Sequence, residues 1–146
     1  MALQFSTGVR NAILDTIEST TGTTAVLKIF DGTMPANCGT ADAGTVLVTM
    51  TLPSDWMAAA SGGTKAYNAT WQDTSADNGG TADYFRIYPS SPTTTNATIQ
   101  GTVTATGGGG DLTLDTITIV AAQQVTITQF TLTAPGAQRQ LSMLSL

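Results

Sequence analysis

Histidine is absent from this 146-residue chain, and cysteine occurs once, at Cys38. Without histidine, the usual base of a hydrolytic triad is missing. The His/Cys ligand sets of zinc sites cannot be assembled either. A single cysteine excludes an internal disulfide, and with no histidine to activate it Cys38 reads as a loop or packing thiol. Charge is scarce: five Lys and Arg and ten Asp and Glu make up 10% of the residues, against about 25% in ordinary globular domains. The five cations (Arg10, Lys28, Lys65, Arg86, Arg139) are scattered and the net charge is -5. Binding to nucleic acid needs clustered cations, so it is not expected. No apolar run approaches the ~18 residues of a membrane span, and no positively charged segment leads into an apolar stretch at the start. A secretory signal is therefore not expected, and synthesis in a reducing cytoplasm fits these absences.

What is plentiful is threonine, 29 residues or about one in five. Threonine is β-branched and suits strands better than helices. With 41% hydrophobic residues, the chain is apolar enough to fold, and its length suits one domain with a real core. A first segment, residues 6–19, carries Val9, Ala12, Ile13, Leu14 and Ile17 at helical spacing, an apolar stripe. Ser6 or Thr7 can cap its start. About three turns are marginal alone, so the stripe is expected to pack on the domain or on a neighbour.

After Gly22 the period becomes two. Strands are expected at 24–30, 45–52, 65–72, 81–88, 97–105, 112–120 and 124–133, separated by Gly, Pro, Asp and Asn punctuation. In the last, Val125 and Ile127 have one parity, Phe130 and Leu132 the other. A one-residue bulge near Thr128–Gln129 would bring all four to the core. The expected fold is a single antiparallel β-sandwich or jelly-roll domain. It divides into a helical arm at 1–22, a β-domain at 23–135 and a C-terminal tail at 136–146.

Features that could carry chemistry are few. Asp73 with Asp77, and Asp111 with Asp115, could form acid–base pairs as in glycosidases, but solvated turn and strand faces account for both. The run from Asp73 to Gly80 has a faint calcium-loop look, yet Ser75 and Tyr84 stand where an EF-hand has acids. Gly107–Gly110 lacks the Lys-Ser/Thr of a phosphate loop and reads as a flexible hairpin connection. No cofactor or metal is expected. Tyr84, Arg86 and Tyr88 alternate on one strand face, expected to point outward. With Trp71 they suggest a carbohydrate or protein contact surface, weighed against plain cross-strand packing. The tail carries Leu141, Met143, Leu144 and Leu146 beyond the end of the fold, and such a tail is expected to dock somewhere.

The segments Phe5-Ser-Thr-Gly-Val-Arg-Asn-Ala-Ile-Leu-Asp, Leu27-Lys-Ile-Phe-Asp-Gly with Pro35-Ala, Phe85-Arg-Ile, Gly101-Thr-Val, Asp111-Leu-Thr-Leu-Asp-Thr and Val125-Thr-Ile-Thr-Gln-Phe-Thr-Leu resemble small virion proteins of tailed phages. The resemblance spans most of residues 5–133. It implies a non-enzymatic β-domain, assembled in the bacterial cytoplasm and bound to a virion. The first expectation is a capsid decoration (cement) protein, dimeric or trimeric, on the major capsid protein. A tail, collar or baseplate accessory protein is the alternative, and a carbohydrate-binding β-sandwich the next. Contact candidates are Val9, Ile13 and Ile17 on the helix, Tyr84, Arg86 and Tyr88 on the aromatic face, and Leu141, Leu144 and Leu146 on the tail.

Overall fold

The computed structural model describes residues 3–136; the tail candidates Leu141, Leu144 and Leu146 lie outside them. One helix, α1 (Thr7–Thr21), opens the chain. Ser6 caps it, its hydroxyl accepting from the Val9 N–H at 3.3 Å. Gly22, with φ 91°, ends it by donating its N–H to the Glu18 carbonyl, a reversal that suits a residue without Cβ.

Ten strands follow: β1 (Val26–Phe30), β2 (Val46–Thr51), β3 (Thr64–Ala66), β4 (Gln72–Asp73), β5 (Gly80–Thr81), β6 (Tyr84–Tyr88), β7 (Ile99–Ala105), β8 (Leu112–Leu114), β9 (Thr118–Ile119) and β10 (Val125–Thr133). The main sheet runs β2-β1-β6-β7-β8-β10-β3, with β4 also on β10 and a separate β5-β9 pair. The sheet curls on itself, so the domain is sandwich-like and mainly β. Its concave face holds Leu27, Ile29, Val48, Phe85, Leu112 and Ile127. Aromatic rings run through this core. Trp56 lies 5.9 Å from Trp71, Trp71 lies 5.4 Å from Phe130, and Phe130 meets Phe85 edge-on at 5.6 Å.

The bulge falls where the alternation requires it. The β10–β8 register slips between Ile127 and Gln129, and Val125, Ile127 and Phe130 are all buried. The displaced Thr128 hydroxyl sits 2.8 Å from that of Thr113 and 3.0 Å from that of Thr106.

Two expectations are corrected. The sheet is mixed, because β7 and β8 are parallel, with Val103 opposite Leu112 and Ala105 opposite Leu114. The four-glycine run is therefore a return loop, not a hairpin. It lies flat on β7: the Gly110 N–H donates to Thr104 Oγ1 at 2.9 Å, and Asp111 Oδ2 accepts from the Thr102 N–H at 2.9 Å. A Cβ on Gly108 or Gly110 would stand 2.8 Å from the Thr104 side chain, so only glycine lets the loop come this close. Parallel neighbours ordinarily need a crossover of a dozen or more residues; here six suffice (residues 106–111).

The expected strands 65–72, 81–88 and 112–120 each break in two. At the first break Ala69 takes φ 59° while the Asn68 amide donates to the Asp55 carboxylate at 2.9 Å. At the second, Asp83 turns to accept from the Gly32 N–H at 2.6 Å.

Both outer edges of the sheet are covered by the chain itself. On β2, the Leu47 carbonyl accepts from the N–H groups of Asp77 (2.8 Å) and Asn78 (3.3 Å). On β3, the Ala66 carbonyl accepts from the Ala58 N–H at 2.9 Å, and Ser61 and Thr64 exchange backbone bonds. Covered edges discourage strand-by-strand addition of other chains.

Candidate functional site

The helix sits inside out. Its charged and amide side chains face the body: Arg10 Nε donates to the Ala134 carbonyl at 3.0 Å, and Asn11 Oδ1 accepts from the Gly63 N–H at 2.9 Å. Glu18 Oε1 accepts from the Met57 N–H at 3.1 Å. Lys65, on β3 and only 2% exposed, places its ammonium 2.7 Å from Asp15, 2.9 Å from Glu18 and 2.9 Å from the Ala58 carbonyl. All three ammonium donors are thus used. Burial alone would pull the Lys65 pKa down; hydrogen bonds to Asp15 and Glu18 outweigh it, and the net shift is upward. The same Lys65 hydrogen bond, helped by the Ala60 N–H, holds Asp15 below its ordinary value.

Of the expected apolar stripe, only Leu14 enters the body. Val9 and Ile13 are each 45% exposed, Ile17 is half-buried, and Ala12, Thr16 and Thr20 are exposed. Of the two expected placements, on the domain or on a neighbour, the stripe as a whole does not take the first. The polar partners offered by β3 and the 57–63 segment draw the charged side of the helix inward. Between helix and body lies a cavity of about 500 Å³, lined in part by Asp15, Glu18, Asp55, Met57 and Lys65.

The aromatic face is also placed otherwise than the alternation suggests. Tyr84, Arg86 and Tyr88 do lie on the convex side of β6, but they are 1%, 0% and 0% exposed. The 31–45 segment folds over them. Arg86 is its staple: Nη1 donates to Asp42 at 2.7 Å and to the Thr40 carbonyl at 2.8 Å, and Nη2 donates to the Asn37 carbonyl at 2.9 Å and to Gln100 Oε1 at 2.8 Å. The Tyr88 hydroxyl donates to the same Asp42 oxygen, and the Tyr84 hydroxyl to the Ala43 carbonyl. Phe30 stacks on Tyr84 with centroids 4.8 Å apart. Burial raises the pKa of both tyrosines; for Tyr88 its bond to the Asp42 carboxylate adds to the rise. These three residues are therefore not a contact surface. With Trp71 also buried, none of the aromatic candidates can offer a ring face to a sugar.

The carboxylates serve the backbone. Asp31 accepts from the Thr45 N–H at 2.6 Å, and Asp73 from the Ser75 N–H at 2.9 Å. Asp111 accepts from both the N–H and the hydroxyl of Thr102, each at 2.9 Å. The Asp73 bond closes an Asx-type turn; those of Asp31 and Asp111 tie together segments 14 and 9 residues apart. Asp77 and Asp115 are exposed. Among the described residues no group of three or more Cys, Asp or Glu converges as a metal site, and no helix is long and apolar enough to cross a membrane. Cys38 is half-buried in the stapled segment.

One part of the surface is uncharged. Besides the outer helix face, Gln129, Thr131 and Thr133 on β10 lie exposed beside Thr64 and Ala66 on β3, with Thr131 paired to Ala66 and Thr133 to Thr64. Sequence reasoning passed over this strip because single threonines carry no motif; only the pairing register gathers them.

Compared with known protein families, curated proteins and solved structures, the chain matches none.

Proposed function

We propose that this chain is a structural protein of a tailed-phage virion, a decoration protein that binds the outside of the major capsid shell and reinforces it. The observation that supports this best is the neutral strip of Gln129, Thr131, Thr133, Thr64 and Ala66 across the paired strands β10 and β3. Hydroxyls and amides there can bond a neighbour without the desolvation cost of buried charge. The resemblance over residues 5–133 points the same way, and the acidic balance disfavours contact with packaged DNA. Such a domain would contribute modest affinity at each site, multiplied over the shell lattice by avidity.

The test is the copy number of this polypeptide per purified particle, by quantitative mass spectrometry against the major capsid protein. A simple fraction of the capsid count is expected. A few copies up to a few dozen would relocate the protein to the tail, collar or baseplate. Absence from particles would end the virion reading.

A further inference from the structure

We propose that Asn78 is a site of spontaneous deamidation, and that its conversion to aspartate or isoaspartate loosens the cover on the β2 edge. Asn78-Gly79 is the one Asn-Gly step in the chain; Asn11, Asn68 and Asn96 precede alanine, and Asn37 precedes Cys38. The reaction requires the following backbone nitrogen to reach the asparagine side chain, and a residue without Cβ leaves that approach open. Asn78 and Gly79 are both exposed, in a bend outside the strands. Among the described residues the Gly79 N–H donates to no other group, so its proton is open to base. Once base takes it, the Gly79 nitrogen attacks Asn78 Cγ. The new N–Cγ bond closes a succinimide ring, and ammonia leaves as the Cγ–Nδ2 bond breaks. Water then opens the ring at one of its two carbonyls. Breaking the bond to Cγ leaves aspartate, and breaking the bond to the Asn78 backbone carbonyl leaves isoaspartate.

The position of Asn78 gives the change a structural effect. Its Nδ2 donates to the Val46 carbonyl at 2.8 Å, and the N–H groups of Asp77 and Asn78 donate to the Leu47 carbonyl. These bonds cover the side of β2 that faces away from β1. Deamidation turns the side-chain donor into an acceptor, so a carboxylate would face the Val46 carbonyl with no hydrogen between them. It would also stand beside the carboxylate of Asp77, a like charge. Isoaspartate adds a backbone carbon as well, which shifts its N–H relative to Leu47. The bend is anchored on its other side: the Ala76 N–H donates to the Gln123 carbonyl, and the Ala76 carbonyl accepts from the Ala122 N–H, both at 2.8 Å. The change therefore frees carbonyls of β2 locally and leaves the fold standing. Freed carbonyls on an edge strand are where a strand of another chain can add. The inference does not rest on the virion reading: deamidation can fail while shell binding stands, and the reverse.

The experiment is incubation of the full chain in warm, mildly alkaline buffer, followed by peptide mass mapping with isoaspartyl methyltransferase labelling. Asn78 is expected to convert ahead of the other four asparagines, and faster as the pH rises. Gly79→Ala should slow the conversion roughly tenfold or more by restricting the backbone approach. It should leave the fold intact, because a Cβ there would stand 3.4 Å from its nearest neighbour, the Ile119 carbonyl oxygen. Asn78→Gln keeps an amide but needs a larger ring, so it should stay unconverted and serves as the second control. Asn78→Asp reproduces one product throughout the sample. It should speed hydrogen exchange of the backbone amides at positions 77 and 78 while those of β6, in the middle of the sheet, stay protected. Circular dichroism of each variant checks the fold. Asn78 that stays intact while another asparagine converts would overturn the inference. So would equal rates in the wild type and Gly79→Ala. Unaltered exchange at 77 and 78, both in Asn78→Asp and in the aged wild-type chain, would overturn the loosening of the edge.

Discussion

Arg86 is the residue on which the convex side of the sheet depends. It is fully buried, and its guanidinium gathers Asn37, Thr40, Asp42 and Gln100 around one planar fork. Lysine could not reproduce that geometry, since it offers a point charge rather than a fork. Arg86→Met should cost about 3–5 kcal/mol in urea unfolding, because it leaves Asp42 and three carbonyls without their donor. Arg86→Lys should recover only part of this. If instead Asp42→Asn together with Arg86→Met restores wild-type stability, the network sets specificity of the loop and little net stability. The paired change at Lys65 is expected to be milder, because Asp15, one of its partners, remains half exposed to water.

At the scale of elements, the return loop between β7 and β8 separates two roles of glycine. Gly107 has φ 86° and nothing within 4 Å of a would-be Cβ, whereas Gly110 would bring one to 2.8 Å from Thr104. Gly107→Ala should therefore cost only left-handed backbone strain, about 1 kcal/mol. Gly110→Ala should cost more, about 2–3 kcal/mol, by pushing the loop off β7. Equal losses in thermal unfolding would refute the close-packed loop. The same loop shows what a sequence can and cannot announce. The helix with its Ser6 cap, the strands at 24–30, 45–52, 97–105 and 124–133 and the bulge at Thr128 were legible, since each follows from the spacing of nearby residues; the breaks within the other three expected strands were not, because distant partners such as Asp55 and Gly32 make them. The parallel β7–β8 pair was not, because six residues rich in glycine suit a hairpin equally well and only the Thr104 contacts choose. Which of its two expected places the helix stripe takes, on the domain or on a neighbour, was not legible for a related reason. A hydrophobic stripe predicts an inward face only when nothing better binds the other side, and here Lys65, Ala60 and Met57, far along the chain, bind it. The aromatic face was read correctly in parity and wrongly in exposure, since alternation cannot foresee that the 31–45 segment folds back across β6.

At the scale of the whole molecule, these buried groups set how stability varies with pH. Tyr84, Tyr88 and Lys65 all have folded-state pKa values above their ordinary ones. A group held protonated more tightly in the fold than in the unfolded chain contributes stability that is complete below its unfolded pKa. That contribution is lost as pH rises towards the folded one. The ordinary values of tyrosine and lysine lie near 10, so the three act in one window and in one direction. Asp15 runs the other way: its lowered value contributes above the usual carboxylate range and is lost in acid, but that side chain is half exposed and its effect is small. The melting temperature should therefore hold roughly level from neutral pH to about 10 and fall steeply beyond it. Phenolate absorbance from the two buried tyrosines should appear together with loss of circular dichroism rather than ahead of it, because each hydroxyl is a donor sealed under the 31–45 segment. Tyr84→Phe with Tyr88→Phe will lower stability at neutral pH, since three hydrogen bonds go: the two that the hydroxyls donate and the one that Tyr84 accepts from the Ala43 N–H. Its diagnostic effect is on the slope: the alkaline decline should become shallower, with the remainder carried by Lys65. An unchanged slope would mean that the alkaline transition arises elsewhere, and that the covered face of β6 opens to solvent before the fold does.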